Sequence, residues 1–473
     1  MKPAYASEIT RDAAAPRGLG LHWSEFVAVL ALVDAAIVAA VMLAVVAVWD
    51  RVARDFIPTP YYAAWLAGTW LVWLLSLRAS GSYDLLEPTA VRRPAASLVR
   101  ALAIVAGVTL VAYFFAPRSF PRSTTLLTPV PVFLGLLLWR EAAERRLPRW
   151  RALHRRILLL GVGETTTRLA SVLAAEARHV PYDCVAFLTE RADVPSVVAG
   201  LPVRRDPAAL WDHVRELGVQ EIAVAREAQL SPETRALLLD CFHAGVTVSD
   251  AAQLYEDLTG RVPVAQIAPT WYAELPSLPR RLYRVLKRAI DVVGAAALLV
   301  VLSPLLLAIA LAVVVDDGAP VLYSQVRLGQ RGRPFVVRKF RSMRRDAETD
   351  GPRYAERADP RSTRVGRVLR PSGLDELPQL WDVLLGRMSL IGPRAERPEF
   401  TEHLAALLPL YRARLLVRPG IVGWAEVHVR HAADLEQHLE RLEYDLYYIK
   451  RADLLLDVDI ALRAAALAVS GRR

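Results

Sequence analysis

The chain of 473 residues is long enough for two or more domains, and its 54% hydrophobic content is high for a purely soluble protein. A membrane portion is therefore expected. The net charge of +10 would suit nucleic acid, anionic lipid or a phosphorylated substrate, but the sequence contains no nucleic-acid-binding motif. The two cysteines, Cys184 and Cys241, predict neither a disulfide framework nor a cysteine metal site, and they favour a reducing compartment.

Long apolar stretches follow a polar N-terminal tail of residues 1–23. These stretches cover residues 26–49, 61–77, 101–117 and 123–139. Each is near the roughly 20 residues that a spanning helix needs, so residues 24–139 are predicted to form four transmembrane helices. Asp34 lies inside the first stretch, where an ionisable residue is either functional or close enough to the end to reach the membrane interface.

Orientation in the membrane is predicted from residues 140–156, which contain seven arginines and two glutamates. By the positive-inside rule this basic linker is cytoplasmic. Four spans then place the N-terminal tail of residues 1–23 in the cytoplasm as well. The sequence therefore predicts a multi-pass membrane protein whose next domain is cytoplasmic.

Residues 157–270 show alternating strand and helix patterns, beginning with the apolar run ILLLGVG, and predict a parallel α/β domain of Rossmann-like type. Gly161 and Gly163 begin a GxGxxG fingerprint, but Thr166 stands at its third position. Nucleotide binding and a structural or regulatory role both stay open. Every tyrosine of this domain lacks a lysine four residues on, which argues against a dehydratase or epimerase of the short-chain type.

A second apolar region follows, with 24 uncharged residues at 292–315 and basic residues on both sides. Both ends are therefore predicted to be cytoplasmic. Pro304, next to Ser303, removes a helical hydrogen bond near the midpoint, so a helix broken there can enter and leave by the same face. The sequence predicts a re-entrant hairpin at about 289–316, with a straight fifth span as the alternative.

Two adjacent carboxylates, Asp375 and Glu376, stand at the start of a helical leucine pattern in residues 370–400. Ser372, Gly373 and Asp375 are candidate capping residues of this helix. Free amides and the helix dipole favour anions at a helix N-terminus. The pair is therefore either a site for phosphate and metal chemistry or a simple stabiliser of the helix end.

Three motifs extend this pattern along the chain. They are KFRSM at 339–343, LDELPQL at 374–380 and MSLIGPR at 388–394. In this order they resemble the bacterial sugar transferase family, the polyprenyl-phosphate hexose-1-phosphate transferases, and the resemblance runs from about residue 281 to the C-terminus. It implies a mostly α-helical catalytic domain at 271–473 that carries the re-entrant helix.

The resemblance also implies a reaction. A hexose 1-phosphate would pass from a nucleotide diphosphate sugar, UDP-glucose or UDP-galactose, to undecaprenyl phosphate with release of UMP. This transfer would initiate the synthesis of exopolysaccharide, capsule or O-antigen. The expected partners are the nucleotide sugar, the polyprenyl phosphate and membrane lipid, without nucleic acid, and a homodimer is one assembly considered.

By motif position, the resemblance implies that Asp375 is the nucleophile that forms an aspartyl phosphosugar and that Glu376 ligates a metal. A direct displacement with Asp375 as general base stays open. Mg²⁺ is the expected ion, because it prefers carboxylate and phosphate oxygens and the motifs offer no His or Cys cluster. The phosphate-binding candidates within the matched motifs are Lys339, Arg341, Arg370 and Arg394.

The chain departs from the family's pattern at two places near its C-terminal end. Glu426 stands where the family usually has glutamine, and KRAD at 450–453 replaces the usual Asn-Trp-Ser. These departures concern contacts with the substrate rather than the reaction itself.

The fold class predicted from the sequence is a membrane α-helical bundle, an α/β Rossmann-like domain and a mostly α-helical catalytic domain with a re-entrant membrane helix. The expected location is the bacterial inner membrane, with both globular domains in the cytoplasm. Two alternatives are a membrane scaffold that binds nucleotide sugars without catalysis and a membrane nucleotide-sugar dehydratase. The intact carboxylate pair argues against the scaffold.

Overall fold

The protein is represented by a computed structural model, which describes most of the chain. The described residues are 23–53, 60–83, 94–115, 122–146, 154–175, 182–264, 281–345, 347, 359–408, 410–429 and 434–469. The chain forms two compact units, Met1–Gln266 and Ile267–Arg473. The predicted N-terminal tail before Trp23, residues 147–153 of the basic linker and residues 265–280 lie outside the described part.

Apolar helices form the first part of the unit Met1–Gln266. They are α1 (Trp23–Ala53), α2 (Pro60–Ala79), α3 (Pro94–Phe115), α4 (Arg122–Leu127) and α5 (Pro129–Arg146). Among the described residues, three stretches are long and apolar enough to cross a membrane, and α2 contributes a shorter apolar stretch. Helices thus occupy all four predicted regions, and α4 and α5 share the fourth.

These helices pack through one face and leave the other apolar face exposed. Trp73, Leu136 and Val38 are fully buried in their common core, whereas Leu32 and Leu138 are exposed. Apolar side chains on the outside of a helix bundle suit contact with lipid. The packing therefore supports association of this part of the chain with a membrane.

Asp34 is fully buried inside this helical region, and its carboxylate accepts a hydrogen bond from Arg140 Nη2 at 2.5 Å. The Arg140 guanidinium also lies 5.2 Å from the centre of the Tyr83 ring. A buried charge is tolerated when an opposite charge pairs with it. The structure therefore gives the buried Asp34 carboxylate a cationic partner from α5.

The second part of this unit is a mixed sheet with helices between its strands. The strands are β1 (Arg155–Leu160), β2 (Tyr182–Leu188), β3 (Val197–Val198), β4 (Leu201–Arg204), β5 (Glu221–Val224) and β6 (Thr247–Asp250). The helices are α6 (Glu164–Ala175), α7 (Leu210–Leu217), α8 (Pro232–His243) and α9 (Ala251–Thr259). The strand order is β3-β4-β2-β1-β5-β6, and all neighbouring pairs except β3/β4 are parallel.

Strand β1 lies in the interior of this sheet. Its last four residues are all apolar, and their side chains point alternately to the two faces. Ile157 and Leu159 belong to the core cluster on one face, and Leu158 and Leu160 belong to the cluster on the other. A strand covered on both faces reads as a continuous apolar run, as expected for a parallel sheet with helices on each side.

The turn after β1 differs from a dinucleotide fingerprint in two ways. The Thr166 hydroxyl donates to the Gly161 carbonyl at 3.1 Å and accepts from Gly163 N at 3.0 Å, so it occupies the place of the third glycine. A Cβ on Gly163 would lie 1.7 Å from the Glu227 carboxylate, which therefore sits directly over the turn. A carboxylate already stands where a phosphate would approach.

The unit Ile267–Arg473 begins with two apolar helices, α10 (Arg281–Val301) and α11 (Ser303–Asp317), that are bent by 62° at the break between them. The bend falls at the predicted place. Pro304 cannot donate to the Val300 carbonyl, and the Ser303 hydroxyl donates to that carbonyl at 2.7 Å instead. The local sequence thus satisfies the backbone group that the proline leaves without its helical partner.

The rest of this unit surrounds the carboxylate pair. Its strands are β7 (Leu322–Leu328), β8 (Pro334–Phe340), β9 (Ser389–Ile391) and β10 (Gly420–Val422). Its helices are α12 (Gly366–Ser372), α13 (Leu380–Leu384), α14 (Pro398–Leu407), α15 (Trp424–His428), α16 (Leu435–Arg451) and α17 (Leu454–Val469). Strands β7 and β8 form an antiparallel hairpin, and β9 pairs with β10 in parallel.

Candidate active site

The carboxylate pair lies in a short 3-10 helix, Leu374–Gln379, between α12 and α13. Gly373 has a φ of +67°, a conformation that favours glycine, and it ends α12. The Ser372 hydroxyl donates to the Val368 carbonyl at 2.8 Å. Gly373 is also the N-terminal cap of the 3-10 helix, as predicted, whereas Ser372 is the last residue of α12, Asp375 lies within the 3-10 helix, and residues 374–379 are 3-10 rather than α-helical.

Glu376 is held by two cations from different segments. Lys339 Nζ on β8 lies 2.5 Å from Glu376 Oε1, and Arg394 Nη2 after β9 lies 2.8 Å from the same oxygen. Burial alone would raise the pKa of Glu376, but the charges of Arg394 and Lys339 outweigh burial and hold that pKa well below its ordinary value. Glu376 is therefore an ionised carboxylate at any physiological pH.

Asp375 has a different environment from its neighbour. Its side chain is buried, at 8% exposure, and within the described part of the chain no side chain or backbone group donates a hydrogen bond to its carboxylate. Burial, followed by the charge of Glu376, raises the pKa of Asp375 to about 6. The pair thus combines a carboxylate fixed by cations with a poorly solvated carboxylate that is free to react.

The two other predicted phosphate-binding arginines occupy different places. Arg370 lies at the end of α12, where its Nη1 donates to Ser362 Oγ at 3.0 Å and its charge lowers the pKa of Asp375. Arg341 is buried and donates to the carbonyls of Asp317 and Gly318 at the end of α11. The structure brings Lys339, Arg394 and Arg370 to the pair, whereas the contacts of Arg341 are with a helix end.

Several residues around Arg394 were not singled out by sequence reasoning. Glu426 Oε1 accepts from Arg394 Nη1 at 3.0 Å, and Arg414 Nη2 donates to the Arg394 carbonyl at 3.2 Å. Arg327 on β7 donates to the neighbouring Ala395 carbonyl. Glu426 was noted only as a departure from the family's pattern, and its contact with Arg394, 32 residues away, carries no local signal.

Polar side chains join the bent helix pair to the segments that carry the site. Asp291 on α10 accepts from Ser389 Oγ and from Leu390 N, both at 2.9 Å, at the start of the strand that leads to Arg394. Arg288, one turn earlier, donates to the Val383 carbonyl at 2.6 Å, at the end of α13. The α10 helix is therefore bonded to the segments on both sides of the site.

The second helix of the pair is bonded in the same way. Arg341, next to β8 and two residues after Lys339, donates to the Asp317 carbonyl at 2.8 Å. The Asp316 carboxylate accepts from Val365 N at 2.8 Å, at the start of the helix that carries Arg370. We call Arg288, Asp291, Asp316 and Arg341 the anchor residues, since each joins the bent pair to a different segment of the site.

The anchor Asp291 offers a test of this arrangement. Asp291→Asn should keep most of the activity, because both partners donate and the amide oxygen still accepts. Asp291→Leu should leave two donors unsatisfied, at about 1 to 3 kcal/mol each, and lower the activity at least tenfold. Thermal unfolding and turnover of both variants in detergent would measure this, and equal damage in the two variants would contradict the assignment.

A divalent metal ion was predicted at the carboxylate pair. Within the described residues, no group of three or more His, Cys, Asp or Glu side chains could hold a metal ion. Mg²⁺ is commonly held by one or two carboxylates together with substrate phosphates, so a larger cluster is not required. Glu376 Oε2 has only a 3.5 Å contact with Arg394, which leaves this oxygen able to accept a hard cation.

The structure thus defines a class of protein before any comparison is made. One unit has apolar helices long enough to cross a membrane, and in the other a bent apolar pair is bonded to the segments around a buried carboxylate pair that contacts lysine and arginine. Side chains of this kind bind anionic groups such as phosphates. This is a membrane-associated protein with a site for phosphate chemistry.

Comparison with known proteins agrees with this class. The family model of the bacterial sugar transferases matches residues 282–471. A UDP-N-acetylgalactosamine-undecaprenyl-phosphate N-acetylgalactosaminephosphotransferase of Aeromonas hydrophila is 38% identical over 53% of this chain and 59% of its own length. A UDP-glucose:undecaprenyl-phosphate glucose-1-phosphate transferase of Caulobacter vibrioides is 42% identical over 39% of this chain and 70% of its own length.

A third relative is the exopolysaccharide production protein PSS of Rhizobium leguminosarum, 39% identical over 37% of this chain and 91% of its own length. The chain belongs to the bacterial sugar transferase family. The family predicted from the three motifs is therefore confirmed.

Proposed function

We propose that the protein transfers a hexose 1-phosphate from a UDP-sugar to undecaprenyl phosphate and releases UMP. The observation that carries the proposal is the unequal carboxylate pair, in which Glu376 is fixed by Lys339 and Arg394 while Asp375 is buried without a hydrogen-bond donor among the described residues. Family membership and the activities for which the relatives are named support the same reaction.

In the first half-reaction an Asp375 oxygen attacks the phosphorus that bears the sugar. The bond from this phosphorus to the bridging oxygen breaks, and UMP leaves with the electron pair. In the second half-reaction a phosphate oxygen of undecaprenyl phosphate attacks the aspartyl phosphosugar. This step forms the lipid diphosphate sugar and restores the Asp375 carboxylate.

The cations of the site bind the anionic groups that these steps bring together. Lys339 and Arg394 converge on Glu376 and can also reach phosphate oxygens, and Arg370 adds positive charge beside Asp375. Glu376 would hold Mg²⁺, which when bound would neutralise charge on the diphosphate. Arg341 stays a predicted phosphate ligand, although its present contacts favour an anchoring role.

A burst experiment tests the reaction and its route. The full chain in lipid nanodiscs should release UMP with undecaprenyl phosphate and at least one of UDP-glucose, UDP-galactose or UDP-N-acetylgalactosamine. Without the lipid acceptor, the covalent route predicts one UMP per active site and a protein mass increased by one hexose phosphate. UMP release that strictly needs the acceptor would favour direct displacement, and no release with any donor would contradict the proposed function.

The pH dependence of the first half-reaction follows from Asp375. Only the carboxylate form can attack, and burial raises its pKa to about 6. The burst rate should therefore rise as the pH increases through about 6 and level off above it. Quenched-flow measurements of the burst between pH 5 and 8 would show this rise. A burst rate that is independent of pH across this range would contradict the assignment of Asp375 as the attacking group.

The membrane topology is proposed as multi-pass, with the Rossmann-like part and the catalytic part both in the cytoplasm. The 62° bend, with Ser303 bonded to the Val300 carbonyl beside Pro304, supports a re-entrant hairpin between them. Basic residues on both flanks of the pair support the same topology. A UDP-sugar made in the cytoplasm could then reach a site next to the bilayer.

Single cysteines test this topology. Ala208 and Ala406 are exposed, one in each unit, and can be replaced by cysteine in a background without Cys184 and Cys241. Both cysteines should resist an impermeant thiol reagent in intact cells and react once the membrane is opened. Labelling of the Ala406→Cys variant from outside intact cells would contradict the hairpin.

A further inference from the structure

Arg394 lies between two carboxylates. Its Nη2 is 2.8 Å from Glu376 Oε1, and its Nη1 is 3.0 Å from Glu426 Oε1. The side chain is still 31% exposed, so an incoming anion can reach it. The same guanidinium must therefore serve two carboxylates of the protein and, under the proposed function, the phosphates of the donor.

The position of the Glu426 side chain is set by a hydrogen bond at the start of α15, the helix that carries it. Its Oε2 accepts from Gly423 N at 2.8 Å at the beginning of α15, which leaves Oε1 directed to Arg394. Arg441 is 3.8 Å from the same Oε1, beyond hydrogen-bond distance. Glu426 thus has a fixed side chain whose closest charged partner is Arg394.

We infer that Glu426 is a positioning residue that weakens the hold of Arg394 on the donor diphosphate. The inference rests on the proposed function, since it assigns to Arg394 a phosphate as ligand. A carboxylate 3.0 Å from the guanidinium offsets part of its charge and competes with a phosphate for its Nη1 donor. Weaker binding of the diphosphate would also let UMP leave faster after transfer.

Glutamine at this position would act differently. The glutamate uses both oxygens as acceptors, one for Gly423 N and one for Arg394. A glutamine side chain has one acceptor oxygen and one NH₂ donor group, so it cannot accept from both. If its oxygen keeps the bond to Gly423 N, its NH₂ group faces Arg394, which is released toward the substrate. Either orientation removes a negative charge next to Arg394.

The experiment measures equilibrium binding of UDP, together with steady-state kinetics for UDP-glucose, UDP-galactose and UDP-N-acetylgalactosamine. The proteins are the full-length wild type, Glu426→Gln, Glu426→Asp and Glu402→Gln. Glu402 is exposed on α14, so its variant removes a carboxylate of the same unit as a control. Burial raises the pKa of Glu426 above its ordinary value, so the measurements are made at about pH 8 to compare the ionised side chains.

Glu426→Gln should bind UDP about three to ten times more tightly than the wild type at low ionic strength, and the difference should shrink at high salt. The KM for the accepted donor should fall by a similar factor while kcat does not rise. Glu426→Asp, which keeps the charge, and Glu402→Gln should bind UDP as the wild type does. A merely structural role of Glu426 would instead weaken binding in both Glu426 variants.

Equal or weaker UDP binding by Glu426→Gln, with an active wild type, would overturn this inference and leave the proposed function intact. A wild type that neither binds UDP nor releases UMP from any donor would overturn the proposed function and this inference with it. Tighter binding by Glu426→Asp as well, although it keeps the charge, would show that the negative charge is not what restrains Arg394, and would also overturn the inference.

Discussion

Asp375→Asn should lower sugar-phosphate transfer by at least about 10³-fold while the protein stays folded and in the membrane. The amide keeps the size of the side chain but cannot form the acyl phosphate bond to the sugar phosphate. The variant should also give no UMP burst and no increase in protein mass without the lipid acceptor. Turnover within tenfold of the wild type would rule out Asp375 as the nucleophile.

The same substitution should make the protein more stable. The pKa of Asp375 in the folded state, about 6, is above its ordinary value, so the folded state binds the proton more tightly than the unfolded state does. The buried charge therefore reduces the free energy of unfolding progressively as the pH rises from about 4 to about 6. Removal of the charge should recover about 3 kcal/mol at neutral pH.

Thermal unfolding in detergent at several pH values would measure this gain. The difference between Asp375→Asn and the wild type should be largest above about pH 6 and should shrink toward pH 4. Glu402→Gln serves as the matched control, because it removes an exposed carboxylate and should change neither stability nor transfer. An equal or lower stability of Asp375→Asn at neutral pH would contradict the electrostatic cost of the ionised carboxylate.

Glu376→Gln should also abolish transfer, but with the opposite effect on stability. The substitution leaves Lys339 and Arg394 without their shared carboxylate in a largely buried site. Removal of one member of a buried ion pair commonly costs about 3 to 5 kcal/mol, since the remaining charge loses its partner. The apparent unfolding temperature should therefore fall clearly below that of the wild type.

A second variant separates charge balance from catalysis in this case. Glu376→Gln combined with Lys339→Met removes one positive charge with the negative one, so part of the lost stability should return while transfer stays abolished. Glu376→Gln with wild-type stability would show that the ion pairs seen around this carboxylate contribute little. Substantial transfer by either variant would remove Glu376 from the proposed machinery.

The sequence predicts well what local pattern determines. Apolar stretches became helices at the four predicted places, and the strand and helix alternation after Ile157 became a sheet with parallel strands. The three motifs identified the family correctly. In each case the pattern lies within about 20 consecutive residues or in the order of motifs along the chain. Such a pattern can be recognised without knowing how distant segments pack.

The sequence could not decide where a short segment suits two local structures or where the partner of a side chain lies far along the chain. Ser372 suits the start of one helix as well as the end of another, and in the structure it is the last residue of α12, whereas Gly373 serves both the end of α12 and the start of the 3-10 helix. Strand alternation would place Arg341 on the same face as Lys339, two residues earlier, but Arg341 lies just beyond the end of β8 and donates to the Asp317 carbonyl at the end of α11. The Asp34 partner is 106 residues away, so no local pattern could have supplied it.

The anchor residues have a consequence for the lipid around the protein. They join the bent helix pair to the segments of Lys339, Arg370 and Arg394 and to the helix that follows the carboxylate pair, so under the proposed re-entrant topology the pair and the site would move together in the bilayer. Bilayers differ in thickness, and an apolar helix adjusts its depth to match. Acyl-chain length would then set the height of Asp375 relative to the lipid phosphates, which makes bilayer thickness itself a determinant of the rate.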